Sequence, residues 1–421
     1  MPKINLARQM DRQLPTELSG FLRSAGKVAA ERRENLYLVG GAVRDLLLGE
    51  ANYDLDLVVE GDGPALAAVL APGSKLTIHR RFGTAKFRWQ QWSVDLATAR
   101  RECYSRPGAL PRVVPGSIGD DLWRRDYSVN AMAIALNPRS FGGFMDLYGG
   151  REDLGAGLLR ILHERSFIDD ATRIWRGLRY EQRLGFKLER NTLRLLKQHT
   201  VMLDTISGDR LRYELECVLA EECPERVIRR AAQLSVLASL HAHLEGNGWL
   251  RQRYGRARRL TRPQSPSITL YLALLAYRLT EERKEELISK LRLTKPVART
   301  LRDTTGLNSR LKALSAARLK PSQIYDLVHG YDITAVTAAM LVVGEAPAGL
   351  RLKKYLEKLR FVKTALSGTD LKAMGVAPGP GFREIMNKLR RARLDGQAVS
   401  RQDEEALARK WLAAGPPSPP A

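Results

Sequence analysis

Residues 36–60 read LYLVGGAVRDLLLGEANYDLDLVVE, and that order leaves a chain few ways to fold. The run 36–39 is short, apolar and β-prone, and it stops at Gly40-Gly41, where a backbone without side chains approaches a ligand closely. Val43, Leu46 and Leu47 then fall at helical spacing, Gly49 suits the helix end, and residues 52–54 turn into a second strand over 55–59. The period of two on that strand sets Asp54 and Asp56 on one face and Leu55 and Leu57 on the other. Two carboxylates beside a glycine turn call for a cation. Magnesium suits such hard oxygen ligands because it bridges one or two carboxylates to substrate phosphates, and N–H groups at Gly40 and Gly41, near a helix start, suit a phosphate. The stretch by itself points to metal-assisted nucleotidyl transfer.

Length and charge narrow the setting. A chain of 421 residues is long for one core, and its net charge of +23 with a pI near 10.2 points to a polyanion partner such as nucleic acid. Residues 1–150 hold 20 Lys and Arg against 16 Asp and Glu, so most of the basic excess lies downstream of the carboxylates. Cys103, Cys217 and Cys223 match no zinc or disulfide spacing, which fits a reducing compartment. The start, MPKINLARQMDRQL, has no apolar core of a leader, and the apolar stretch at 271–277 is too short to span a bilayer. A cytoplasmic protein is expected.

Residues 1–35 read as an amphipathic helical lead-in with Leu18, Phe21 and Leu22 on the face expected to pack on the sheet. An apolar helix over 64–70 and strands over 76–80 and 84–89 lead to WSVDLAT at 92–98. Alternation there sets Asp95 opposite Val94 and Leu96 and offers a third carboxylate to the metal face. Residues 100–123, rich in Gly, Pro and charge, read as a mobile loop without a core element. The text from Ser166, SFIDDATRIWRGLRYEQRLGF, reads as one helix with Ile174, Leu178 and Leu184 buried and Asp170, Arg173 and Arg176 recurring on another side. Taken alone, Asp170 and Arg173 are an ordinary solvated i, i+3 pair. From Asn191 to Leu412 the periodicity is helical, broken at Gly208, 263–266, Pro321, Pro347 and 378–381. Arg251, Arg253, Arg256, Arg258, Arg259 and Arg262, with Tyr254 among them, form a candidate phosphate-contacting cluster, although such runs are ordinarily solvated faces. His163, His199, His241, His243 and His329 lack metal-ligand company, and residues 415–421 are expected to fray.

Taken together, the motifs resemble those of the class II tRNA nucleotidyltransferases (CCA-adding enzymes) and bacterial poly(A) polymerases. The family's Gly-Gly-x-Val-Arg-Asp, Leu-Gly and Asp-x-Asp are matched by Gly40, Gly41, Val43, Arg44, Asp45, Leu48, Gly49, Asp54 and Asp56. Its Arg-Arg-Asp-Phe-Thr-x-Asn-Ala is matched by Arg124, Arg125, Asp126, Asn130 and Ala131, with Tyr127 and Ser128 in place of Phe and Thr. Asp146, Gly149, Gly150 and Asp153 follow its connector. Its Glu-Asp-x-x-Arg-x-x-Arg is matched by Asp170, Arg173 and Arg176, with Asp169 replacing Glu. Gly368, Asp370, Leu371, Gly375 and residues 378–380, preceding a basic helix, resemble its tail segment.

The resemblance implies an α+β fold: a DNA polymerase beta-like nucleotidyltransferase head over 1–150, followed by an all-α neck over 151–215, body over 216–345 and tail over 346–421. It implies two magnesium ions held by the catalytic carboxylates Asp54, Asp56 and Asp95. Nucleotide binding falls to Gly40, Gly41, Arg44, Arg125, Asp126 and Asn130, and to Asp170, Arg173, Arg176 and Arg179 on the selecting helix. Body and tail, including Arg251, Arg253, Arg256, Arg258 and Arg259, are expected to grip tRNA. An acid needs a donor and a guanidinium an acceptor; cytosine offers N4–H with N3 and adenine N6–H with N1, whereas uracil and guanine reverse the order. Asp170 and Arg173 therefore suit CTP and ATP. In the family, the segment following residues 95–100 is a loop implicated in switching from C to A addition, and CC-only members lack it. The function implied is template-independent addition of CCA to tRNA 3′ ends. An A-only enzyme shares every motif and is the nearest rival; a poly(A) polymerase fits less well without a long basic extension. A noncatalytic RNA-binding module would gain nothing from carboxylates facing RNA.

Overall fold

The alternation of residues 35–60 becomes the middle of a seven-stranded sheet in the computed structural model, which describes residues 4–376 and 380–413. The strands are β1 (Asn35–Val39), β2 (Leu55–Glu60), β3 (Thr77–His79), β4 (Thr84–Trp89) and β5 (Trp92–Thr98). A separate ribbon of β6 (Arg100–Cys103) and β7 (Arg112–Pro115) follows, then β8 (Met132–Ala135) and β9 (Phe144–Asp146). The sheet order is β3-β4-β5-β2-β1-β8-β9, and β2 with β5 is its one parallel pair, in register Asp56 to Asp95.

Helices α1 (Ala7–Gln13), α2 (Thr16–Glu31), α3 (Gly41–Leu48), α4 (Gly63–Leu70) and α5 (Ile118–Trp123) complete the head. Leu18, Phe21, Leu22, Ala25 and Ala29 recur at helical spacing and are buried on α2, each large one contributing about 1.5–3 kcal/mol. Phe21 meets Trp89 and Phe87 of β4 with ring centroids 4.7 and 6.5 Å apart, so the lead-in does pack on the sheet. Gly26 permits the approach: a Cβ there would stand 1.9 Å from the Leu136 carbonyl oxygen. On the Asp56 face, Tyr37, Val39, Val58, Ala131 and Ala133 form a core with Ile118 and Leu122.

That core corrects the reading of 100–123 as a loop without core elements. Arg100 to Cys103 pair with Arg112 to Pro115, and Ser117 with Asp120 closes a capping box that starts α5. The residues between β6 and β7, with Gly116 and Ser117, lack regular structure, and the Gly, Pro and charge signals belong to the ribbon's turn and to the cap.

Helices α6 (Gly150–Ala156), α7 (Ser166–Asp169), α8 (Thr172–Leu184), α9 (Arg190–Gln198), α10 (Gly208–Leu219) and α11 (Pro224–Gln233) follow. The single helix expected from Ser166 is two, because Asp170 is extended (φ −142°, ψ 97°) and turns its side chain back to cap α8. Ile174 and Leu178 are buried as expected and Leu184 is half-buried. Tyr127 is buried whole and donates from its hydroxyl to the Arg173 carbonyl at 2.8 Å. Gly177 makes room for that ring, since a Cβ there would lie 1.9 Å from the Tyr127 hydroxyl oxygen.

The chain divides into two units, 1–239 and 240–421. The second is helical: α12 (Gly248–Thr261), α13 (Ile268–Leu275), α14 (Glu281–Lys290), α15 (Lys295–Leu314), α16 (Pro321–Val328), α17 (Ile333–Val343), α18 (Pro347–Glu357), α19 (Gly368–Ala373), α20 (Pro380–Leu394) and α21 (Arg401–Ala413). Near its end, Leu366, Leu371, Val376, Leu389 and Ala408 form a small core, and buried Glu404 accepts from the Ala365 and Leu366 N–H groups and from Arg393. Of the expected tail motif, residues 378 and 379 lie outside the described residues, as do 415–421. No single described helix is long and apolar enough to cross a membrane.

Candidate active site

β1 ends at Gly40, whose φ of +73° lies where side chains are disfavoured. A Cβ there would also stand 2.8 Å from Arg125 Nη1 and 3.3 Å from Asp56 Oδ2, so a side chain would displace both groups from the turn. The turn, the head of α3 and the carboxylates open on a cavity of about 680 Å³. Gly40, Gly41, Arg44, Asp54, Asp56, Asp95, Arg125, Asp126, Asn130, Asp170, Arg173, Arg176 and Arg179 all line it. The residues singled out in sequence between Gly40 and Arg179 therefore share one space.

Asp54 is exposed and Asp56 half-buried. Burial pushes the Asp56 carboxyl above its ordinary range; Arg125 pulls it back, and the charges of Asp54 and Asp95 raise it again. Crowded, under-solvated carboxylates are a donor set that a divalent cation relieves. Among the described residues no three His, Cys, Asp or Glu side chains form a metal cage, and Asp95 Oδ2 instead accepts from Lys86 Nζ at 2.8 Å. Magnesium needs no such cage, since one or two carboxylates with waters and substrate phosphates suffice. Asp54 and Asp56 fit that requirement.

The same cavity is lined by a wall of guanidinium groups. Arg44 is buried; its Nε and Nη2 donate to Asp45 at 2.7 and 2.9 Å, and its Nη1 donates to Asn130 Oδ1 at 2.6 Å. Asn130 Nδ2 donates to Asp126 Oδ1 at 3.0 Å, and Arg176 Nε to Asp126 Oδ2 at 2.7 Å. Burial opposes the charge on Asp126, but Arg176 and Asn130 outweigh it and hold the carboxyl down at about 2. Arg125 donates to buried Asp121 at 3.0 Å. Arg125 Nε and Arg179 Nε are buried without a partner among the described residues, which leaves each a donor for an anion. The buried ring of Tyr180, four residues beyond Arg176, has the guanidinium carbons of Arg44, Arg176 and Arg179 at 5.7, 5.8 and 5.3 Å.

Asp170 and Arg173 do not form the solvated pair that their spacing allows. Asp170 Oδ1 accepts from Thr172 N–H at 3.0 Å and hydroxyl at 2.7 Å, and from Arg210 at 2.7 Å. Arg173 is only 5% exposed and donates to Ser166 Oγ and to the Arg124 carbonyl, both at 2.7 Å. Each side chain is held by other groups, and both face the cavity.

Sequence reasoning missed Asn52, Glu102, Tyr104, Tyr180 and Arg183, which also line the cavity. Glu102 accepts from Arg100, Tyr104 and Arg124 and so ties the ribbon to the wall; the alternating Arg100 and Glu102 were its only local sign. The arginines of α12 lie in the other unit. Arg253 and Arg256 donate to the carbonyls of Val342 and Leu341 at the end of α17, Arg258 meets the Tyr271 hydroxyl, and Arg251 and Arg259 are exposed.

Residues 36–160 match the Poly A polymerase head domain, and residues 185–245 match the probable RNA and SrmB-binding site of polymerase A. The A-adding tRNA nucleotidyltransferase of Geobacter sulfurreducens is 34% identical over 95% of this chain, which spans about half of that protein (48%). The A-adding tRNA nucleotidyltransferase of Halalkalibacterium halodurans is 33% identical over 97% of this chain and 96% of its own. Other relatives are named CC-adding tRNA nucleotidyltransferase and CCA-adding enzyme. A solved apo CCA-adding enzyme is 31% identical with a TM-score of 0.81, covering 98% of this chain and all of that one; further CCA-adding enzyme structures are complexes with ATP, CTP or tRNA. With the glycine turn, the carboxylates and the Asp170 and Arg173 side chains gathered in one cavity, and with relatives and solved structures matched along nearly all of its length, the chain belongs to the class II tRNA nucleotidyltransferase family.

Proposed function

We propose that this chain transfers nucleotidyl groups from CTP and ATP to the 3′ end of tRNA and builds CCA without a nucleic-acid template. The observation that carries the reading is the convergence of Gly40, Asp54, Asp56, Asp126, Asp170 and Arg173 on one cavity. Residues 1–150 are then the catalytic head and 151–215 the neck, with 216–345 and 346–421 as tRNA-gripping body and tail. Asp54 and Asp56 would hold magnesium, two ions in all, with Asp95 as a further ligand were it to leave Lys86. Bound there, the metal would stabilise charge on the attacking and leaving oxygens. The chain's own groups bind and orient: Gly40 and Gly41 N–H groups with Arg44 and Arg125 offset phosphate charge, Asp126 and Asn130 hold the sugar, and Asp170 and Arg173 read the base. The tRNA 3′-hydroxyl oxygen bonds to the α-phosphorus while the α–β bridge breaks, so pyrophosphate leaves and the hydroxyl proton passes to water.

Addition of A alone is a second reading, favoured by the A-adding names of relatives aligned along nearly the whole chain. The ribbon of residues 100–115 supports A addition in either case, since the family loop implicated in it occupies this place. Purified protein offered tRNA ending at the discriminator base, at C and at CC, with CTP and ATP separately and together, decides between them. CCA addition requires extension of all three; extension of the CC end alone establishes the A-only enzyme, and extension of none removes both readings.

A further inference from the structure

Asn52 sits in the turn between α3 and β2, outside every motif, yet it lines the cavity. Its Oδ1 accepts from the Asp54 N–H at 3.0 Å, which pins the start of the carboxylate strand. Its Nδ2 donates to Asp45 Oδ2 at 2.6 Å. Asp45 is the carboxylate on which the Arg44 fork rests, and Arg44 continues through Asn130 and Asp126 to Arg176. One amide side chain is thus hydrogen-bonded at one end to the Asp54 backbone and at the other to Asp45, which carries Arg44 of the arginine wall. An amide suits both ends because it offers an acceptor and a donor at fixed separation; serine lacks the reach and aspartate lacks the donor.

Resting on the nucleotidyl-transfer reading above, we propose that Asn52 is a positioning residue which sets Asp54 against the Arg44 wall, so that metal and nucleotide phosphates are held in one register. It touches neither reacting atom. The two ends are separable by substitution. Asn52→Ala removes both bonds. Asn52→Asp keeps an acceptor for the Asp54 N–H but sets a second carboxylate against Asp45, which disturbs Arg44 while leaving the metal end held.

The test uses the full chain. Mn2+ binding without nucleotide is followed by electron paramagnetic resonance, and kcat and KM for ATP are measured on tRNA ending in CC; melting temperature reports folding. Asn52→Ala is expected to weaken Mn2+ binding about fivefold, lower kcat about tenfold and shift the melting temperature by only a few degrees. Asn52→Asp is expected to bind Mn2+ at least as tightly as wild type while KM for ATP rises about tenfold. Asn52→Ala within twofold of wild type in Mn2+ affinity, kcat and KM would overturn the proposal, and so would equal loss of Mn2+ binding in both variants. Should Asn52→Ala fail to fold, the split between metal affinity and KM in Asn52→Asp carries the decision. A wild type that binds Mn2+ but adds no nucleotide would sink the functional reading, whereas the Mn2+ comparison would still judge Asn52.

Discussion

Asp126 shows how a single buried carboxylate ties α8 to the chain that follows α5. Its charge is taken up by Arg176 of α8 and by Asn130, fifty and four residues away in sequence. The folded pKa lies below the unfolded one, so the stability it contributes is full above about pH 4 and is lost as pH falls towards 2. A depression of this size corresponds to about 2 kcal/mol. Asp126→Asn should therefore melt well below wild type at pH 6, and the gap should narrow as pH falls from about 4 towards 2; a gap independent of pH would show that the charge is not what stabilises. Asp56 has the opposite environment, a carboxyl raised by burial and like charge. If Asp56 holds the catalytic cation as proposed, Asp56→Asn should lower nucleotide addition at least about 10³-fold, while filter-binding affinity for tRNA stays within about twofold. Addition near the wild-type rate would remove Asp56 from the site.

At the scale of elements, the break between α7 and α8 matters most. Because Asp170 is the extended residue between them, its side chain both caps α8 and faces the cavity. Asp170→Asn keeps the capping oxygen, so circular dichroism should not change. If the carboxylate reads the base edge, preference for CTP over UTP should still fall about ten- to a hundredfold, the equivalent of one hydrogen bond to a charged group. Arg173→Ala differs, since it leaves Ser166 and the Arg124 carbonyl without their donor and should cost about 1–3 kcal/mol of stability as well as selectivity. Arg173→Lys is the sharper test, retaining charge without the fork. Unchanged selectivity in both Asp170→Asn and Arg173→Lys would return base choice to other residues.

For the whole molecule, charge is divided unequally. Residues 240–421 hold 33 Lys and Arg against 16 Asp and Glu, leaving 36 against 30 for residues 1–239. A polyanion should therefore bind chiefly through the helical unit, and its affinity should fall on the order of 10²-fold between 50 and 200 mM salt if four or more phosphates are neutralised. Measured for the intact chain, a slope near zero would refute that assignment. Reversing the exposed charges Arg251 and Arg259 should lower affinity and reduce the slope by about one for each phosphate no longer neutralised; no change in either would make them a solvated face.

Local pattern determined a great deal here. Period-two alternation and a glycine pair specify the strand, turn, helix and strand of residues 35–60, and helical spacing specifies α2 and the buried face of α8, because neighbours three or four residues apart meet whatever else the chain does. Gly40, Asp54, Asp56 and Asp95 were legible for the same reason; Arg125, Asp126, Asn130, Asp170 and Arg173 were singled out only by the likeness of their motifs to a family's, and Asn52, Glu102, Tyr104, Tyr180 and Arg183 were not singled out at all. Tertiary structure alone decided what those residues touch. Arg44 finds Asn130 across 86 residues, and Arg173 finds the Arg124 carbonyl across 49. Asp95 rests on Lys86, Asp170 leaves the helix to cap it, and the ribbon of β6 and β7 pairs within a stretch that reads as loop. Such outcomes depend on competition among long-range hydrogen bonds, each individually worth about 1 kcal/mol, and no periodicity within a short window records which partner wins.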